Sequence, residues 1–179
     1  MLISEHSAFG ALAASALTAV WNKKYPEHSM SVLWMSVMGA IVARLPDWDL
    51  VLIEIVGYRG SNWAHRSVYT HSILAIAIFA LLAFTIIFVA NKMIKKYDWG
   101  SEIPIQMATL TLTIAFMTHL MMDVIEKYPT RILYPFSDAE FVGWVPSSVY
   151  YNDFFELTTW IIGFGGSIGL SIIDSKRRK

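Results

Sequence analysis

The sequence predicts an all-α fold, a polytopic membrane helix bundle of about five helices with a structured outer loop. Charged residues make up only 16% of the chain and hydrophobic residues 55%, whereas soluble domains usually carry about 25% charged residues. Residues 72–90 contain no charged side chain, and His119 is the only ionisable residue of 103–122. Both segments approach the ~20 apolar residues that a bilayer core requires. We therefore expect residues 1–179 to form one integral membrane domain.

Five membrane helices are predicted along the chain, at 7–21, 30–45, 72–90, 103–122 and 154–173. The first is short and rich in alanine, and we expect it to pack against its neighbours. The second should end at Pro46, because proline lacks an amide donor and disfavours helix at the residue before it. The fifth has glycines that permit close helix contacts: Gly163, Gly165, Gly166 and Gly169. The N-terminus lacks the basic region of a cleaved signal peptide, so the first helix is expected to remain attached.

Lysine and arginine predict how these helices are oriented. Nine of the fourteen basic residues precede the second helix, separate the third from the fourth, or follow the fifth: Lys23, Lys24, Lys92, Lys95, Lys96, Lys176, Arg177, Arg178 and Lys179. The positive-inside rule makes these ends cytoplasmic. Five alternating helices then place the N-terminus outside and the C-terminus in the cytoplasm, in the inner or plasma membrane of the cell.

Composition excludes some functions and leaves others open. The formal net charge is zero, so no basic surface indicates a nucleic-acid partner. The chain has no cysteine, which excludes disulfides and thiolate catalysis but leaves the redox compartment open. The expected partners are membrane lipid and a small-molecule or lipid substrate, and the sequence does not fix the oligomeric state.

Potential metal ligands are concentrated in short polar clusters at the ends of the apolar segments. Seven side chains offer imidazole or carboxylate groups: His6, Asp47, Asp49, His65, His71, His119 and Asp123. These groups bind transition-metal ions, and beside a membrane they are costly to accommodate. The orientation deduced from lysine and arginine alone places all seven on the non-cytoplasmic face, whereas His28 falls on the other face and is excluded. The sequence therefore predicts a common metal site.

The spacing within each cluster predicts its geometry. His119 and Asp123 are four residues apart on a predicted helix, so both project from one face. This suits two ligands of one ion, or one ligand with a supporting partner. Asp47 and Asp49 follow a proline and are expected in an extended or turn segment. His65 is expected in a loop, and His71 at the start of the third helix, close to a cap formed by Thr70 or Ser72.

The number of ligands favours a catalytic site. A closed structural zinc site needs only four ligands, usually including cysteine. The surplus here favours an open site for a divalent ion, zinc or manganese, or for two ions, where the metal activates water. His65 is either a further ligand or a proton shuttle. Arg66 either holds an anionic group such as phosphate or forms a salt bridge to a nearby carboxylate, so His65 and Arg66 are the candidate catalytic residues.

The outer segment 126–153 is rich in aromatic residues: Tyr128, Tyr134, Phe136, Phe141, Trp144, Tyr150 and Tyr151. Amphipathic rings collect at membrane–water interfaces, which accounts for most of them. The alternative is a lid, or a wall of a lipid-facing cleft, since long structured loops are often functional.

Three ordered motifs and a following segment carry a family resemblance: Pro46-Asp47-x-Asp49, His65-Arg66-x-x-x-Thr70-His71-Ser72, His119-x-x-x-Asp123 and Leu133-Tyr134-Pro135-Phe136-Ser137. Together they resemble the YdjM-like family of predicted membrane-bound metal-dependent hydrolases, some of whose members carry an inner-membrane, LexA-binding label. That family commonly has glycine where this chain has Ser67, and threonine and glycine where this chain has residues 126–130. The resemblance covers most of the chain and implies a metal-dependent hydrolase, without naming a substrate.

Three functions are consistent with these features. The first is a hydrolase that acts at the outer membrane interface on a phosphoester, with a lipid among the candidate substrates. The second is a protein that binds or transports a divalent cation, but the third helix has no charged residue in mid-span to form a conduction path. The third is a structural protein with polar helix caps, which does not explain why histidines cluster where lysines are absent.

Overall fold

The computed structural model describes residues 3–56, 66, 68–127, 129–150 and 152–177. Over these residues the protein is all-α and has isolated bridges but no β-strand. The predicted fold class is confirmed. The helices are α1 (Ile3–Lys24), α2 (Val32–Val42), α3 (Trp48–Val56), α4 (Ile73–Tyr97), α5 (Ile105–Ile125), α6 (Ser147–Tyr150), α7 (Asp153–Trp160) and α8 (Gly166–Arg177), with a π-helical turn at Ile161–Gly165 between the last two.

Helix α1 lies at the centre of the bundle and packs against α2, α5, α7 and α8. Its small side chains Ala8, Ala11 and Ala14 are fully buried, which lets neighbouring backbones approach closely. A Cβ atom on Gly10 would collide with the backbone of Gly39 in α2. The alanine-rich first segment is therefore an internal packing helix, as the sequence predicted.

Membrane-crossing segments are found among the longest helices. Within the described residues, three helical segments are long and apolar enough to span a bilayer: Ile73–Tyr97, Ile105–Ile125 and the continuous Asp153–Arg177. Helix α2 has only 11 residues, well short of the ~20 that a simple crossing needs. The prediction of five helical membrane segments thus corresponds to three helices of spanning length, packed with α1 and the short α2.

The region around Pro46 differs from the prediction. Helix α2 ends at Val42, and Pro46 lies inside a short 3-10 turn, Leu45–Asp47, that leads into α3. Proline is well tolerated at the start of a helical turn, because its missing amide hydrogen would have no helical partner there. The helix α3 was not predicted, so the extended or turn conformation expected for Asp49 is wrong: Asp49 lies in its first turn.

The segment after α5 forms the structured outer loop. It returns to the end of α5 through two isolated bridges, Glu126 to Val145 and Thr130 to Phe141. Gly143 lies directly against α5, where an added Cβ atom would collide with the carbonyl group of Ile125. The aromatic residues Tyr128 and Tyr151 fall outside the described residues.

Candidate metal centre

Five of the predicted ligands meet at one end of the bundle. His6 is in the first turn of α1, Asp47 closes the 3-10 turn, and His71 directly precedes α4, while His119 and Asp123 occupy the last two turns of α5. All five side chains are buried. Four separate parts of the chain therefore deliver donor groups to one place. His65 falls outside the described residues.

Local sequence explains how His71 and His119 are presented. Ser72 caps α4 by accepting a hydrogen bond from the amide of Ala75 (3.4 Å), so Ser72 rather than Thr70 is the cap. The extended backbone of Ser72 leaves His71 outside the helix, pointing into the bundle end. His119 and Asp123 share a face of α5 because they are four residues apart.

The donor atoms have the spacing of ligands around a single ion. His71 Nε2 lies 3.1 Å from His119 Nε2. Asp123 Oδ2 lies 3.2 Å from the first nitrogen and 3.1 Å from the second. Asp47 Oδ1 is 3.5 Å from His119 Nε2 and 3.9 Å from His71 Nε2. A tetrahedral zinc ion with bonds of about 2.0–2.1 Å separates its ligands by about 3.3–3.4 Å, so the atoms of His71, His119 and Asp123 fit such an ion.

The other ring nitrogens define the tautomers of both histidines. His119 Nδ1 donates to the carbonyl oxygen of Ala43 (2.8 Å). The Thr70 hydroxyl donates to Asp49 Oδ2 (2.9 Å) and therefore accepts from His71 Nδ1 (2.8 Å). In their neutral forms both rings therefore present a lone pair at Nε2, and the two Nε2 atoms face each other. Metal-binding histidines usually donate their second N–H to a carbonyl or carboxylate-linked partner in this way.

Asp123 Oδ2 reinforces this arrangement. It lies within hydrogen-bonding distance of both Nε2 atoms, yet among the described residues no hydrogen is directed at it. Three electron-rich atoms from His71, His119 and Asp123 therefore converge. Such atoms repel one another unless a metal ion or a shared proton lies between them.

His6 lies at the edge of this group. Its ring stacks on that of His119 with centroids 3.7 Å apart, and its Nε2 is 3.7 Å from Asp123 Oδ1. His6, Asp47 and His119 also lie close enough to hold an ion, as do His71, His119 and Asp123. Nδ1 of His119 is already hydrogen-bonded to the carbonyl oxygen of Ala43. Both three-residue sets would therefore use Nε2 of His119 as a ligand atom.

Asp49 and Arg66 lie behind the converging atoms. Asp49 Oδ2 accepts hydrogen bonds from the Arg66 amide (3.1 Å) and from Thr70, and is 3.5 Å from His71 Nδ1. It therefore lies on the far side of the His71 ring from Nε2. The Arg66 guanidinium pairs with Asp123 Oδ1 (2.9 Å) and with Glu126. Of the two alternatives for Arg66, the salt bridge to a nearby carboxylate is present, and a role in holding an anionic substrate stays a prediction.

Buried carboxyl groups are concentrated at this end of the bundle. Among the described residues, one buried guanidinium, Arg66, accompanies five buried carboxyl groups: Glu5, Asp47, Asp49, Asp123 and Glu126. Burial lowers the pKa of His71, which favours the neutral form of the imidazole that a metal ion needs. Carboxylate oxygens and neutral imidazoles are ligand types that bind divalent transition-metal ions.

Two buried carboxyl groups, Glu5 and Glu126, were not singled out from the sequence. Each lies close in sequence to a predicted ligand, which could have identified it. Glu5 is adjacent to His6, and Glu126 follows Asp123 by three residues, a spacing that places both side chains on one helix face.

The fold and this buried cluster define an integral α-helical membrane protein with a potential cation site at one end of its bundle. Residues 1–176 match the family described as YdjM inner membrane protein, and the chain belongs to that family. The resemblance inferred from the ordered motifs is therefore confirmed, and so is the membrane location. No curated protein and no solved structure matches the chain.

Proposed function

We propose that this protein is a membrane-bound metal-dependent hydrolase that binds a divalent ion, zinc or manganese, at His71, His119 and Asp123. The observation that carries the proposal is the close approach of three potential ligand atoms: the two Nε2 atoms lie 3.1 Å apart, with Asp123 Oδ2 beside both. Two imidazoles and one carboxylate are a common ligand set of catalytic zinc, in which the fourth position is left for water or substrate.

Each residue has a distinct place in this proposal. When bound, the ion supplies Lewis acidity that activates water and polarises the scissile bond. Asp47 Oδ1 lies slightly farther from the two nitrogens than Asp123 Oδ2 does, so it serves as a fourth ligand or as the acceptor of a proton from water. Thr70 and the Ala43 carbonyl hold the two rings with Nε2 facing inward.

A second ion would use His6 and Asp47. Both three-residue ligand sets include His119, and only its Nε2 atom can bind an ion. His119 can therefore serve one of the two ions, and the other ion would lack a ligand. A two-ion site therefore needs a further ligand, and His65 is the candidate in the sequence. Its role as a ligand or proton shuttle belongs to the same proposal.

The proposed substrate is a phosphoester at the membrane interface, and a lipid phosphoester fits the setting best. The cluster lies at the end of helices that are long enough to span a bilayer, opposite the basic ends of α1, α4 and α8. The positive-inside rule places that cluster on the non-cytoplasmic face. The nearby outer loop exposes Phe136 and Trp144, which suits a lid or wall at the lipid boundary.

Metal content and turnover, measured on the same samples, test the proposal. The purified protein is analysed by elemental mass spectrometry, stripped with a chelator, and assayed with bis(p-nitrophenyl) phosphate before and after addition of zinc or manganese. We expect metal-dependent hydrolysis in the parent and the loss of both metal and turnover in His119→Ala and Asp47→Ala. The control is Asn91→Ala, because Asn91 is also buried but hydrogen-bonds to Ile103 at the other end of α4.

The remaining outcomes separate the alternatives. A parent that holds metal but hydrolyses neither this ester nor a long-chain lipid phosphate would favour the cation-binding or transport function, which metal uptake into vesicles would then reveal. A parent that binds no metal under any condition would overturn the proposal, because a shared proton would then separate the two Nε2 atoms.

A further inference from the structure

Glu126 has no part in the proposed chemistry, although its side chain is buried beside the ligand cluster. We propose that Glu126 and Arg66 form a positioning pair that holds the Asp123 carboxylate so that only Oδ2 faces the ion. This inference rests on the proposed function, because it assigns Asp123 as a metal ligand. It replaces substrate binding as the main role of Arg66.

The two oxygens of Asp123 have different surroundings. Oδ1 pairs with Arg66 Nη2 at 2.9 Å, whereas Oδ2 lies between the Nε2 atoms of His71 and His119. Arg66 Nη1 also donates to the backbone carbonyl of Asp123 (3.3 Å). The guanidinium thus contacts both the side chain and the backbone of Asp123. Rotating the carboxylate toward two-oxygen ligation would break the charged contact at Oδ1.

Glu126 is the second carboxyl group that contacts the Arg66 guanidinium. Arg66 Nη2 contacts Glu126 Oε2 as well as Asp123 Oδ1, so the guanidinium lies between the two carboxyl groups. Asp123 is in the last turn of α5, and Glu126 is the residue that directly follows the helix. A planar guanidinium can serve two acceptors in fixed directions, and Glu126 therefore determines where Arg66 can lie.

The backbone on each side of the pair is also fixed. Arg66 has a φ of 63°, a left-handed conformation that is unfavourable for a residue with a side chain. Its amide donates to Asp49 Oδ2 (3.1 Å), which stabilises this conformation. The carbonyl of Glu126 accepts from the Gly143 amide (3.0 Å), and the next amide, of Lys127, donates to Val145 (2.8 Å). The outer loop thus holds Glu126 in place.

Burial argues that the pair does more than stabilise the fold. Both side chains are only 4% exposed, and buried ion pairs often contribute little net stability because desolvation offsets their attraction. An anion-binding arginine would have to give up both carboxylates to reach a substrate. The contacts therefore favour positioning over substrate binding.

Zinc affinity of the purified, metal-stripped protein tests the pair directly. Supporting partners of metal ligands typically change affinity by about 10–100-fold when mutated, and we expect Glu126→Gln to weaken zinc binding within that range. Arg66→Lys keeps the positive charge but lacks the planar guanidinium that can donate to two acceptors, so we expect a smaller loss of zinc affinity. The matched control is Glu140→Gln in the exposed Arg131–Glu140 pair of the same loop, which should leave affinity unchanged.

Cobalt(II) substitution gives a readout that a purely structural role would not change. With Asp123 held through one oxygen, we expect the strong visible absorption of a four-coordinate ion. In Glu126→Gln the released carboxylate can bind through both oxygens, and the absorption should fall as the coordination number rises. Asn91→Ala serves as the control for lowered stability and should keep the parent spectrum.

The outcomes distinguish this inference from the proposed function. Tight zinc binding by the parent, with unchanged affinity and cobalt spectrum in Glu126→Gln, would overturn the positioning pair and leave the hydrolase proposal standing. Unchanged zinc affinity in Arg66→Lys together with a raised KM would instead return Arg66 to substrate binding. A parent that takes up neither zinc nor cobalt would overturn the proposed function and this inference with it.

Discussion

The two ends of the helix bundle bury polar groups in opposite ways. At one end, which we call the amide end, Asn22 exchanges two hydrogen bonds with the backbone of Met30, and Asn91 exchanges two with the backbone of Ile103, all at 2.7–2.8 Å. At the other, the ligand end, imidazole and carboxylate groups face one another around His119. The amide end pairs each donor with an acceptor, whereas the ligand end brings imidazole nitrogens and carboxylate oxygens together.

This difference indicates that the buried polar groups of the amide end stabilise the fold, whereas those of the ligand end are suited to binding a metal ion. A neutral amide that donates and accepts within one pair satisfies buried backbone groups at little electrostatic cost. Clustered imidazole and carboxylate groups are more costly to bury, and they are the groups that bind metal ions. We therefore expect mutations at the amide end to change stability alone, and mutations at the ligand end to change metal binding.

The largest effect is expected for His71→Ala. Its Nε2 lies within 3.2 Å of both His119 Nε2 and Asp123 Oδ2, so its removal takes away one of three proposed ligands. We expect zinc affinity to fall by more than the ~100-fold that bounds supporting partners, as measured by competition with a chromophoric chelator. Equal affinities in His71→Ala and the parent would place any ion elsewhere.

A smaller loss is expected for Asp49→Asn. Asp49 Oδ2 accepts the Thr70 hydroxyl hydrogen and so directs that oxygen toward His71 Nδ1. The amide can present its NH2 group instead, which would reverse the chain of hydrogen bonds. We expect a loss of zinc affinity of about 10–100-fold, measured as for His71→Ala.

The control for Asp49→Asn is Asp174→Asn. Asp174 is a buried carboxyl group at the amide end, 3.1 Å from Asn22, so the two substitutions make the same chemical change at opposite ends. Asp174→Asn should leave zinc affinity unaltered. Similar losses in both variants would mean that affinity follows general stability, and the contrast between the ends would fail.

The long spans and the ligand candidates could be predicted from sequence because their signals are local. Residues 72–90 and 103–122 are continuous apolar runs, and His119 and Asp123 have helical spacing. The ends of α4 were less predictable: it continues to Tyr97 because Lys92, Lys95 and Lys96 are good helix formers beyond the apolar core. Helix α3 was not predicted because Pro46 and the two aspartates that follow it have the composition of a turn.

The supporting contacts could not be predicted because they join distant parts of the chain. Arg66 meets Glu126 across 60 residues, and His119 meets the Ala43 carbonyl across 76. No periodicity links such positions, and a backbone carbonyl carries no signal in the sequence. The position of Asp49 behind His71 likewise depends on α3, the element that the sequence did not indicate.

Substitutions that disturb helix packing should lower zinc affinity less than substitutions of the ligands do. Their effect on zinc affinity should be larger at the ligand end than at the amide end. Gly10→Ala would place a Cβ atom against Gly39 and against Ala43, whose carbonyl orients His119. Overpacking a close contact typically costs about 1–3 kcal/mol, so we expect a lower melting temperature in detergent and weaker zinc binding as Ala43 moves. A lower melting temperature with unchanged affinity would show that the Ala43 carbonyl does not depend on this contact.

The smallest effect is expected for Gly169→Ala, the matched substitution in α8, which leads toward the amide end. No described atom lies within 4 Å of the position that its Cβ would take, so the added methyl group meets no steric barrier. Alanine is favoured over glycine inside a helix by about 0.5–1 kcal/mol, and the melting temperature should therefore rise slightly while zinc affinity stays constant. A fall in stability would indicate that this face of α8 packs closely against another molecule in the membrane.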